Sequence, residues 1–208
     1  MRRILLVSSL LFVLVLVFAG AFVLALRGQA QSDDNEAWKE VDGRVNIGFK
    51  IAPVRLDFES KNRELVGLGS YLVNATGGCN DCHTNPSYTA TGNPFNGQPT
   101  QINTAVYLAG GAAFGPFYSR DITPYKEGLP AGRTWKEFLE VMRNGEDFDH
   151  EAGQPGPPLL QVMPWPDYRY MTDHELLAIY EYLRAIPPLQ PNCPSGTTVA
   201  SNGECEAN

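Results

Sequence analysis

Apolar residues recur at helical spacing in three stretches of the chain. In "NRELVGLGSYLVNATGG", Leu65, Leu68, Leu72 and Val73 fall on one face, and the Gly77–Gly78 pair stops the pattern. In "TWKEFLEVMRNG", Thr134 and Glu137 form a capping box, Trp135, Phe138, Leu139 and Met142 share a face, and Gly145 closes the helix. In "TDHELLAIYEYLRAIPP", Thr172 and Glu175 repeat the box, Leu176, Ile179, Tyr180 and Leu183 form the stripe, and Pro187 terminates it. No strand-like alternation of useful length appears, so the pattern predicts an all-α domain. Residues 84–133 are rich in Gly, Pro, Asn and Thr, without periodicity. So long an irregular segment needs something other than secondary structure to organise it.

A different pattern opens the chain. Arg2 and Arg3 precede an almost unbroken apolar run of 23 residues, Ile4 to Leu26, and then the small residues of "GQA". Basic residues, an apolar run and small residues describe an export signal with cleavage after Ala30. The run is also long enough to span a bilayer, so an uncleaved signal anchor is the other reading. In both, the arginines hold the N-terminus in the cytoplasm and the rest is exported to the periplasm. The chain then divides into residues 1–30 as signal or anchor, 31–60 as linker and N-terminal arm, 61–190 as the folded domain and 191–208 as a tail.

Of the 208 residues, 16 are Lys or Arg and 23 are Asp or Glu, a formal charge of -7. Without residues 1–30 the exported part holds 13 basic and 23 acidic residues, a charge of -10. Such a field opposes nucleic-acid binding and favours protein partners with a basic docking patch.

The chemistry sits in "GGCNDCHTNP", where Cys79, Cys82 and His83 follow the first helix. The C-x-x-C-H spacing places two thiols one helical turn apart with an imidazole next to them. Haem carries two vinyl groups that two such thiols can bond as thioethers, and the histidine then binds the iron; the pattern denotes c-type haem attachment. A thioredoxin-like pair would need a βαβ setting. A zinc site would want a second close cysteine pair, yet Cys193 and Cys205 lie more than a hundred residues on, with eleven residues between them. A haem also supplies the apolar surface on which residues 84–133 can pack.

Candidates for a second axial ligand are Met142, Met163, Met171, His150 and His174. Met142 lies on the apolar face of its helix and reads as core. His150 lies in the acidic loop "NGEDFDHEAG", and His174 falls early in the last helix, where a solvated side chain is the simpler reading. Asp147, Asp149 and Glu151 read as a solvated acidic loop. Met163 stands in "VMPWPDY", where Pro164 and Pro166 stiffen the backbone, as suits a ligand held at one position. His/Met ligation suits electron transfer.

With these residues the chain resembles the bacterial class I c-type cytochromes, most of all the single-haem domains of dehydrogenase-associated cytochromes. The resemblance runs from about Leu65 to Pro188, through "GSYLVNATGGCNDCHT", "LAGGAAFGPFYSRDITP", "TWKEFLEVMRNG" and "VMPWPDYRYMTDHELLAIYEYLRAIPP". It implies a small helical domain wrapped around one covalently bound haem c. Cys79 and Cys82 would form the thioethers, with His83 and Met163 as axial ligands. It also implies close approach of Gly69 and Tyr71 to Tyr182, and haem-propionate contacts among Tyr118, Arg120, Trp135 and Trp165. The family's "NITPD" loop stands here as "DITPY", with Asp121 and Tyr125 at its ends. The implied function is periplasmic electron transfer with redox partner proteins rather than catalysis. The alternatives are a cytochrome subunit of a membrane-associated dehydrogenase or oxidase complex, or a haem enzyme with an open sixth position. In an oxidising periplasm Cys193 and Cys205 are expected to pair, closing a loop worth about 3 kcal/mol in the chain-entropy account.

Overall fold

Asn62 begins the first predicted helix by accepting from the backbone amides of Glu64 and Leu65 through its side chain, a standard N-cap. In the computed structural model, which describes residues 43–125, 127–150, 156–199 and 205–207, that helix is α2, Arg63–Tyr71. It runs on as a single π-helical turn, Leu72–Thr76, closed by the Gly77 amide donating to Leu72 O at 2.6 Å. A helix over residues 43–51, α1, precedes it. The remaining helices are α3 (Cys79–His83), α4 (Trp135–Asn144), α5 (Trp165–Tyr168) and α6 (Asp173–Ala185). The leader and the linker as far as residue 42 lie outside the described residues. Among the described residues no helix is long and apolar enough to cross a membrane.

Among the described residues the fold is mainly helical, with three small antiparallel sheets added. β1 (Ala113–Phe114) pairs with β2 (Phe117–Tyr118), and β3 (Pro124–Tyr125) with β4 (Leu129–Pro130). In the tail, β5 (Thr197–Val199) pairs with β6 (Cys205–Ala207). Two-residue strands are too short to leave an alternating signature, which is why the hydrophobic pattern did not disclose them.

Both capping boxes form as predicted. Thr134 and Glu137 open α4, Thr172 and Glu175 open α6, and each glutamate reaches back to the amide of its threonine. α6 ends at Ile186, whose extended backbone is what a following proline enforces.

The core lies where α2 crosses α6. Val66, Leu68, Leu72 and Val73 meet Leu176, Ile179, Tyr182 and Leu183, all buried, with Tyr107 and Leu108 from the irregular segment. Each fully buried leucine contributes about 2 kcal/mol of apolar burial. Gly69 lets the two helices touch: a Cβ there would lie 1.9 Å from Ala178 O and 2.7 Å from Tyr182 Cβ. The expected close approach of Gly69 to Tyr182 is therefore present. The Tyr182 hydroxyl lies 2.9 Å from that of Tyr107 and accepts from Asn74 Nδ2 at 3.1 Å.

The arm takes more order than its unpatterned sequence suggests. α1 packs on α2, with Ser70 Oγ donating to Gly48 O at 2.7 Å, and Asp57 N donates to Ala185 O at 2.8 Å. A buried polar chain thus runs from Gly48 through Ser70 and Asn74 to Tyr107 and Tyr182.

Candidate functional site

Gly78, in the left-handed region at φ 60°, turns the chain out of the π turn and starts α3. α3 is little more than one turn, and it carries Cys79, Cys82 and His83. Both cysteines are free thiols, half-buried, at positions i and i+3 of one helix. Spacing of three along a helix puts both sulfurs on one side.

The His83 ring is fixed from behind. Its Nδ1 lies 2.8 Å from Arg120 O, and since a carbonyl only accepts, Nδ1 carries the hydrogen. Nε2 has no hydrogen-bond partner among the described residues and keeps its lone pair. Burial, and then the positive charge of Arg120, lower the imidazole pKa, so the ring is held neutral; the hydrogen bond to Arg120 O works the other way. A neutral imidazole with its far nitrogen bonded to a carbonyl is the form in which histidine ligates a metal.

The backbone that supplies this carbonyl is itself anchored. Gly110 N donates to His83 O at 2.7 Å, Ile122 N to Leu108 O at 3.0 Å, and Leu108 N to Thr84 Oγ1 at 2.9 Å. Gly110 has φ 75°, and a Cβ there would lie 2.4 Å from Ser119 O and 2.5 Å from Arg120 C. Any other residue would push Arg120 away from the imidazole.

The thiols are not built as a redox pair. Burial pushes Cys79 up to about 12, and burial with the Asp81 charge raises Cys82. A reactive dithiol needs the opposite shift. Among the described residues no three His, Cys, Asp or Glu side chains gather as a metal-ion cluster. Two protonated thiols on one side of a helical turn, beside an imidazole whose Nε2 is unpartnered, fit a haem: two thioether donors and one axial nitrogen. The Asn80 amide, between the two cysteines, is buried with neither of its atoms hydrogen-bonded.

Met163 is half-buried, at the start of a stapled loop. Trp165 N donates to Met163 O at 2.8 Å, Trp165 Nε1 to Leu160 O at 3.2 Å, and Leu160 N to Gly145 O at 2.8 Å. The short α5 follows, and Tyr168 at its end donates to Gly77 O at 2.7 Å. That bond ties the Met163 loop to the turn that launches α3. Burial, the largest cause, raises Tyr168 to about 12, so its hydroxyl remains a donor.

The other sequence candidates take different places. Met142 is buried in α4 and Met171 half-buried, its carbonyl accepting from Arg143 at 2.5 Å. His174 is exposed on the first turn of α6, and His150 is half-buried after the acidic turn. Of the four residues proposed for propionates, Trp165 already uses its ring N–H, and Arg120 directs its guanidinium to Asp147 and Asp149. Those two aspartates are half-buried and ion-paired, not the solvated loop the sequence suggested; Glu151 lies outside the described residues. Tyr168, Asn74, Tyr107 and Thr84 were missed, since single polar residues in loops leave no pattern. Cys193 and Cys205 form a disulfide, with Cα atoms 5.2 Å apart.

Comparison with known proteins finds two relatives, both cytochrome subunits of dehydrogenases. The chain is 29% identical over 124 residues to the gluconate 2-dehydrogenase cytochrome c subunit of Pantoea cypripedii, covering 60% of this chain and 24% of that one. It is 30% identical over 128 residues to the fructose dehydrogenase cytochrome subunit of Gluconobacter japonicus, covering 60% and 22%. The chain thus spans about a quarter of the length of the curated relatives it matches. No family model and no solved structure matches it.

Proposed function

We propose that this chain is an electron-transfer protein with one covalently bound haem c, of the class I kind, serving a dehydrogenase. Cys79 and Cys82 would form the thioethers, and His83 and Met163 would ligate the iron. The observation that carries the reading is the His83 ring, bonded through Nδ1 to Arg120 O and leaving Nε2 unpartnered beside two protonated thiols.

A haem bound there supplies a one-electron Fe(III)/Fe(II) couple, with Met ligation raising the potential relative to two histidines. The chain's own residues do the rest. Arg120 O keeps the proton on Nδ1 and so fixes the tautomer of His83. The Trp165 and Tyr168 bonds hold the Met163 loop against the α3 turn. Leu65, Trp135 and Phe138 offer half-buried apolar surface. No acid–base group is required, so the chain passes electrons and leaves substrate oxidation to its partner.

The names of the two relatives favour work as a cytochrome subunit of a dehydrogenase complex over free diffusion. An acidic periplasmic domain suits a partner with a basic patch, and the leader, if retained, would keep both at the inner membrane.

Co-expression with a c-type haem maturation system tests the reading. Wild type should keep its haem through acid–organic extraction, and Cys79→Ala with Cys82→Ala should release it. The oxidised wild type should show the far-red sulfur-to-iron band, lost in Met163→Ala. Extractable haem in the wild type would overturn covalent attachment. An absent band with ready carbon monoxide binding would overturn Met163 and bring the haem-enzyme reading forward.

A further inference from the structure

Arg120 serves the site twice. Its carbonyl accepts the His83 Nδ1 hydrogen, and its guanidinium lies in a cluster of charges drawn from three separate segments. Its two terminal nitrogens are 2.6 Å from Asp147 Oδ1 and 3.1 Å from Asp149 Oδ2. Arg133 ion-pairs with the same Asp149 oxygen, lies over the Phe148 ring at 5.3 Å, and receives the Tyr180 hydroxyl of α6 on its carbonyl at 3.0 Å. Asp149 N donates to Asp147 Oδ1 at 3.1 Å, closing the turn on itself.

The side chains are between 11% and 24% exposed, so their charges are weakly screened and act over short range with force. The cluster adjoins the His83 ring through the Arg120 backbone, whose oxygen lies 2.8 Å from Nδ1. Among the described residues, two carboxylates face the two guanidiniums. Loss of either carboxylate makes the cluster more positive, and loss of Arg120 makes it more negative.

Resting on the haem reading above, we infer that Asp147 and Asp149 are positioning residues that set the reduction potential. They hold Arg120 with its carbonyl on His83 and oppose its positive charge. Ferric haem carries one more positive charge than ferrous, so the sign of an uncompensated neighbour shifts the couple in a known direction. Asp147→Asn and Asp149→Asn raise the potential. Arg120→Gln lowers it. Arg120→Lys, which keeps the charge and the carbonyl, leaves it near wild type.

The opposite signs distinguish this from simple loosening, which would move both kinds of variant the same way. The test is a potentiometric titration of each purified, haem-loaded variant against mediator dyes, followed by visible absorbance. A rise for the two asparagine variants with a fall for Arg120→Gln supports the inference. Shifts of one sign throughout, or none, with haem covalently bound, overturn it and leave the haem reading standing. A wild type that binds no haem overturns both. Should Arg120→Gln fail to fold, the contrast between Asp147→Asn and the charge-keeping Asp147→Glu decides: equal potentials for that pair overturn the inference.

Discussion

Asp121 carries a carboxylate into the interior at 4% exposure. One oxygen accepts from Thr123 N at 2.8 Å, and the other has no hydrogen-bond partner. Burial outweighs the Thr123 bonds and pushes its pKa up from 3.8 to about 6. The folded protein therefore holds this proton more tightly than the unfolded chain. Between about pH 4 and pH 6 the folded state binds more protons, so stability attributable to Asp121 falls as pH rises and is level above the folded pKa. Asp121→Asn keeps an acceptor for Thr123 and removes the titration. Urea unfolding at pH 4, 5, 6 and 7 should show the variant gaining on wild type with rising pH, by up to about 3 kcal/mol for a shift of about two units. A difference independent of pH would mean that the carboxylate ionises freely in the fold. The sequence marked this position only as a departure from the family loop. Its burial depends on neighbours from other segments, and no local pattern records that.

Among the elements, the α2–α6 crossing positions the site, because α2 runs through the π turn and Gly78 directly into α3. Gly69 is the contact point. A Cβ there meets the Ala178 carbonyl at 1.9 Å, and a carbonyl inside a helix cannot swing aside as a side-chain tip can. Gly69→Ala therefore forces the helices apart, at a cost of about 1–3 kcal/mol or more. Propensity works in the opposite direction, since alanine favours a helix interior by about 1 kcal/mol over glycine. The steric term wins, and the urea midpoint should fall. The gain at an open site sets the scale: at Gly43 a Cβ would meet no atom within 4 Å, so the same change there should be neutral or stabilising. If Gly69→Ala matched Gly43→Ala, the crossing would be looser than its geometry indicates.

For the molecule as a whole, the sequence disclosed what repeats or carries punctuation. The three long helices, both capping boxes, the Gly77–Gly78 stop and the cysteine–histidine cluster all have local signatures. The contacts that join them do not. Tyr168 to Gly77 spans 91 residues, and Asn192 reaches the loop after α3 from the far end of the chain. This second link governs how the tail behaves. Asn192 N donates to Ala109 O at 2.8 Å, its side-chain amide donates to Asn85 O, and Asn85 Nδ2 donates to Gly111 O at 2.8 Å. Leu189 N donates to Thr123 Oγ1 at 3.1 Å, so the segment is docked before the disulfide begins. Beyond it, β5, inside the loop that Cys193 and Cys205 close, pairs with β6, which starts at Cys205 and runs past the bridge. A cross-link raises the stability of a domain only as far as the segment it closes folds together with that domain. The docking residues lie outside the disulfide loop, so most of the nominal 3 kcal/mol or so of loop entropy belongs to the tail alone. The double variant Cys193→Ser with Cys205→Ser should therefore lower the urea-derived stability of the domain by less than about 1 kcal/mol. Asn192→Ala keeps its backbone N–H on Ala109 O but removes the side-chain bond to Asn85 O, just past α3, and leaves that carbonyl without its partner, so it should cost more, about 1–3 kcal/mol. The reverse ranking would place the tail hairpin inside the cooperative unit that holds His83.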